Sequence, residues 1–197
     1  IGEEERTPDI HAQVLIGPAG TITFDYLSTS ETRLAQEEEF MLRQSLQNWL
    51  ATLEHAPPAQ IPLLVSYNLD EVAEHQAGRI EVNRALLQAP PADEATRKQV
   101  GIKETPQERQ LFLHGVIWHE GYHLLSQRHS EKRAQQATLA YFRTRPDILR
   151  ATIKVLDEAN PNLIHGLSWL RELERLKLEV EKPVLFGQNL AEPWYDA

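Results

Sequence analysis

Residues 112 to 131 read Phe-Leu-His-Gly-Val-Ile-Trp-His-Glu-Gly-Tyr-His-Leu-Leu-Ser-Gln-Arg-His-Ser-Glu. Leu111, Phe112, Val116 and Ile117 come before His119-Glu120-Gly121-Tyr122-His123, and Leu124 and Leu125 follow it. The stretch is therefore an apolar helix that carries ionisable groups, and such groups on a core-facing helix need partners. Residues four apart share one helix face. His119 and His123 can thus turn two imidazole nitrogens to one metal ion, and H-E-x-x-H on a helix is a zinc-binding pattern. Glu120 falls on the adjoining face. It is too far round to be a good ligand but close enough to take a proton from a water in the site.

The stretch resembles the active-site helix of the zincin metallopeptidases. His119 to His123 carry that resemblance, and His129 extends it in the frame H-E-x-x-H-x-x-S-x-x-H. The metzincin branch has glycine where this chain has Ser126, and a Met-turn after the third histidine. The only methionine here, Met41, lies upstream, so the likeness is to zincins at large. It implies an α+β, zincin-like fold: a small mixed sheet, an active-site helix and a mostly helical C-terminal half. As one zincin-like domain over 1–197, it places a sheet-containing upper part at about 10–128 and a helical lower part at about 129–197.

A catalytic zinc takes three protein ligands and leaves one position open. The chain has no cysteine, so thiolate ligands and disulfides are excluded and the metal falls to histidine and carboxylate. His129 is the expected third ligand, provided the helix ends soon after His123 and the chain folds back; its spacing is the metzincin one. Glu131 is the alternative. Glu131-Lys132-Arg133-Ala134 looks like the glutamate helix of many short bacterial zincins, where small residues follow the Glu. Glu158 and Glu172 are more distant candidates. His114 and His165 read as structural, and nothing links His11, His55 or His75 to the motif. Tyr122, Tyr141 and His165 are equal candidates for stabilising a developing oxyanion.

In chain order, residues 1 to 10 are charged and expected to be loose. Residues 12–16 and 21–26 alternate as strands around the turn signal Gly17-Pro18-Ala19-Gly20, which predicts a hairpin. Helical spacing of Leu42, Leu46, Trp49, Leu50 and Leu53 predicts a helix from Glu31 to about Glu54, with Glu37-Glu38-Glu39 as a solvated face. Residues 63–67 read as a central strand. Residues 78–83 alternate as another, with Ile80 and Val82 on one face. The zincin resemblance makes that last strand the edge of the cleft, with Gly78, Ile80 and Val82 binding an extended peptide by main-chain pairing. Residues 88–106 form a loop with a short helix. Thr105-Pro106-Gln107-Glu108 starts the motif helix, which should end near Gln127. Further helices begin at Ser130, after Arg145-Pro146 and at Leu163. The tail from Pro183 is irregular.

A chain of 197 residues with 41% hydrophobic and 25% charged residues has the composition of a soluble globular protein. Its net charge of −9 and lack of a Lys/Arg-rich run argue against nucleic acid as a partner. No apolar run is long enough to span a membrane, and no signal peptide is visible. Cytoplasmic and secreted or effector locations both fit. The start at Ile1 leaves open an upstream leader, pro-segment or further domain. The expectation is a zinc-dependent endopeptidase that hydrolyses a peptide bond in a protein or peptide. The alternatives are a zinc hydrolase of a non-peptide amide or ester, and a non-catalytic binding module of the same fold.

Overall fold

The computed structural model describes residues 9–27, 33–67, 78–126, 130–156 and 166–182. The predicted hairpin forms as β1 (Ile10–Ile16) and β2 (Ile22–Tyr26), paired antiparallel with Val14 opposite Phe24. Ala19 and Gly20 take positive φ, 57° and 74°, to close the turn. Helix α1 (Gln36–Ala51) follows, then β3 (Gln60–Ser66) and β4 (Ile80–Asn83). The sheet order is β2-β1-β3-β4, with β3 antiparallel to β1 and β4 parallel to β3. Among the described residues β4 therefore has a strand on one side only. Pro62 sits within β3 because pairing with β4 begins only at Leu63, so Pro62 has β1 alone beside it.

The face of the sheet formed by Ile10, Ala12, Val14, Ile61, Leu63, Val65, Ile80 and Val82 is buried. Each large aliphatic side chain there contributes about 1.5–3 kcal/mol by leaving water. Helix α2 (Glu94–Val100) ends on Gly101 in the left-handed region. Helices α3 (Pro106–Leu125), α4 (Glu131–Thr144), α5 (Pro146–Leu156) and α6 (Gly166–Glu181) complete the expected α+β fold, with four strands and six α-helices among the described residues. Helix α3 packs against α1, α4, α5 and β4. No helix among the described residues is long and apolar enough to cross a membrane.

Two expectations change. Helix α1 starts at Gln36 rather than Glu31, because the Glu38 carboxylate accepts from the Ala35 backbone N–H at 2.9 Å and closes the helix there. Glu37-Glu38-Glu39 is not a solvated face. Only Glu37 is exposed. Glu38 is buried, with Arg84 Nε and Gln88 Nε2 each donating to it at 2.9 Å, and it ties the short 3₁₀ turn Arg84–Leu87 to α1. Glu39 accepts from the Tyr26 hydroxyl. A run of like charges reads as solvent-facing only until cations from distant segments are placed, and Arg84 comes from such a segment.

Candidate metal centre

Helix α3 begins where the sequence predicts. Thr105 accepts from Glu108 N–H and the Glu108 carboxylate accepts from Thr105 N–H, both at 3.1 Å, with Pro106 at the first helical position. It ends two residues early, at Leu125, with Ser126 extended at φ −81°, ψ 110°. Ser130 then caps α4 by accepting from Arg133 N–H at 3.4 Å, which places Glu131 at that helix's first position.

The start of α4 sets Glu131 over the two histidines. His119 Nε2 and His123 Nε2 lie 3.2 Å apart. The Glu131 carboxylate straddles them, Oε1 at 3.2 Å from His119 and Oε2 at 3.1 Å from His123. One donor atom from each of the three falls within a 4.8 Å span. Two nitrogens on a tetrahedral zinc at about 2.05 Å each would be about 3.3 Å apart, so the spacing fits that ion. The nitrogen–oxygen distances are longer than the roughly 2.7–2.9 Å of a direct charge-assisted bond, which leaves room for a cation between. His119 and Glu131 are partly buried and His123 is buried.

The charges are mutually supporting. His119 and His123 hold the Glu131 carboxyl well below the usual carboxylate range, chiefly through hydrogen bonds. Glu131 in turn pushes His123 above its ordinary value. Glu120 is 8% exposed, and burial pushes its carboxyl up to about 7, with the Glu81 and Glu131 charges adding to the effect and His123 opposing it. Glu81 belongs to β4, so the sheet edge lies beside this end of α3. Arg79 donates to Glu81 at 2.8 Å.

Sequence reasoning did not single out Gly121 or Thr138. A Cβ on Gly121 would lie 2.2 Å from Trp49 Cε2, so glycine here lets the α1 indole lie against the backbone of α3. Thr138 of α4 places its hydroxyl 2.8 Å from His119 Nδ1. A threonine inside a helix is ordinary, so only the packing of α4 on α3 gives it meaning.

The expected third ligand, His129, lies outside the described residues, as do His75, Glu158 and His165. Glu172 is not in the cluster: it is exposed on α6 and paired with Arg175 at 2.8 Å. His114 is not in the cluster and bonds Ser45 Oγ at 2.7 Å; His11 and His55 are exposed elsewhere. The Tyr141 hydroxyl accepts from Asn48 Nδ2 at 2.9 Å, and its ring stacks on Trp118 at 4.7 Å. Tyr122 also stacks on Trp118, at 5.9 Å, and lines an apolar pocket of about 280 Å³ with Trp49, Leu53 and Leu125. Gly78, Ile80 and Val82 sit at or just before the β4 edge, but the Ile80 and Val82 side chains are buried in the core. No protein-family model, curated protein or solved structure matches the chain.

Proposed function

We propose that this chain is a zinc-dependent endopeptidase of zincin-like architecture, with His119, His123 and Glu131 as the metal ligands and Glu120 as the general base. The observation that carries the reading is the meeting of three side chains of types suited to zinc, two imidazoles and a carboxylate, from two helices, beside a buried carboxylate. Glu131 is preferred to His129 because its carboxylate already spans both imidazoles. When bound, zinc would act as a Lewis acid towards the scissile carbonyl and make a water in the site acidic enough to ionise near neutrality.

Glu120 accepts one proton from that water as the water oxygen bonds to the carbonyl carbon. It then delivers the proton to the amide nitrogen as the carbon–nitrogen bond breaks, which leaves a carboxyl product and an amine. The low dielectric around Glu120 keeps its proton affinity high enough for both roles. The outer edge of β4 would hold an extended peptide by main-chain hydrogen bonds from Gly78 to Val82. With Ile80 and Val82 turned into the core, that strand offers its backbone rather than their side chains.

The test pairs metal analysis with one substitution. Protein purified without added metal should carry or take up one zinc, and the zinc-loaded form should cleave members of a peptide library detected by mass spectrometry. Glu120→Gln should keep the zinc and lose about 10²–10⁴-fold in turnover. Wild-type turnover in Glu120→Gln would sink the mechanism, and a chain that takes up no zinc would sink the whole reading.

A further inference from the structure

The geometry points to Thr138 as the positioning residue that sets the tautomer of His119 for metal binding, an inference that rests on the metal-site reading above. The Thr138 hydroxyl makes two contacts, 2.7 Å to the Ala134 carbonyl oxygen and 2.8 Å to His119 Nδ1. A carbonyl oxygen only accepts, and a threonine hydroxyl has one hydrogen. That hydrogen is committed to Ala134. Towards His119 the hydroxyl can therefore only accept, so Nδ1 carries the proton. In the neutral ring the lone pair then resides on Nε2, the atom turned to His123 and Glu131.

The placement follows from helix periodicity. Glu131, Ala134 and Thr138 fall along one stripe of α4, and Ala134 is fully buried. Running antiparallel to that stripe, α3 presents His123 and His119 to Glu131, His119 to Thr138, and Gly115 to Phe142, whose ring a Cβ at Gly115 would meet at 3.1 Å. One helix thus supplies both a carboxylate to the cluster and the hydroxyl behind it. Thr138 is 1% exposed, so bulk water does not replace the hydroxyl. Partners that fix a metal-binding histidine in this way change metal affinity without touching the metal.

The experiment compares wild type, Thr138→Val and Thr138→Ser, each metal-free, in zinc competition against a chromogenic chelator and in thermal unfolding without metal. Valine keeps the shape and removes the hydroxyl; serine keeps the hydroxyl and removes a buried methyl. The expected result separates affinity from stability. Thr138→Val binds zinc about 10–100-fold more weakly, its melting temperature also falling with the lost bond to Nδ1, whereas Thr138→Ser melts lower too but binds zinc within about threefold of wild type. Wild-type affinity in Thr138→Val, or affinities that simply follow the melting temperatures, would overturn the assignment while leaving the metal site intact. Failure of the wild-type chain itself to bind one zinc would overturn the site and the role of Thr138 together.

Discussion

Helix α3 carries three histidines in three turns, and they sit in opposite electrostatic worlds. His114 faces α1 and α5. Burial, and then the Arg145 charge, push it down to about 4, with Asp147 only partly opposing. His123 faces α4, where Glu131 pushes it up despite the burial. Both rings are desolvated, so burial alone does not separate them. The sign of the nearest strong charge does. On the α1 side the groups are satisfied locally: Gln110 Nε2 donates to the Met41 carbonyl and to Ser45 Oγ at 2.9 Å, and Trp118 Nε1 donates to Thr52 Oγ1 at 3.1 Å. On the α4 side the donor atoms converge on a common point. One side of the helix holds it in place, and the other presents its chemistry.

The largest effect should come from erasing that difference. Glu131→Ala removes the carboxylate that distinguishes the His123 environment, and with it one of the three proposed zinc ligands. Zinc affinity should fall by at least about 100-fold, the upper range for a supporting partner and a lower bound for a ligand. His129→Ala in the same titration should stay close to wild type. The reverse pattern, with tight zinc lost in the His129 variant and kept in the Glu131 variant, would return the third position to His129.

A smaller but substantial effect should come from the supporting side. In Gly121→Ala the new methyl would overlap the Trp49 indole, which is 1% exposed. Overpacking of this kind costs about 1–3 kcal/mol, and for a chain of this size roughly 2–4 °C in melting temperature accompanies each kcal/mol. Adding Trp49→Leu should recover part of the loss, because the two residues share one contact and their effects are not additive. A Gly121→Ala protein that melts with wild type would show that α1 does not hold this end of α3.

Much of α3 was legible because its signals are local. The capping box at Thr105 and Glu108, Pro106, and the spacing of His119 and His123 all lie within one helix, and periodicity reads them directly. The hairpin and the break at Arg145-Pro146 are equally local. What escaped depends on segments that meet only in three dimensions. Glycine at 121 is explained by Trp49 of another helix, Thr138 by the antiparallel register of α4, and the burial of Glu38 by Arg84. The proposed third ligand fell between these classes. Glu131 and His129 are two residues apart, and the choice turns on where α4 starts and how it packs on α3, which no pattern in the residues encodes.

The finest test concerns acid. His114 has an ordinary value of 6.5 in the unfolded chain and about 4 when folded. Between those pH values the unfolded chain takes up a proton that the folded chain does not, so stability falls as pH falls through that window and the loss is complete below about 4. His123, whose value is raised, acts in the other direction: it stabilises below its unfolded value and that contribution is lost as pH rises through its folded one. Urea unfolding of metal-free protein across pH 4 to 7 contains both slopes. His114→Gln removes one of them while keeping an amide within reach of Ser45, and the cluster contributes equally to both proteins and cancels. Wild type should therefore lose on the order of 1–2 kcal/mol more than His114→Gln between pH 6.5 and 4, discounted from the full shift because the ring is partly open to solvent. Parallel curves for the two proteins would mean that His114 is protonated in the fold, and the contrast between the two sides of α3 would then rest on position alone.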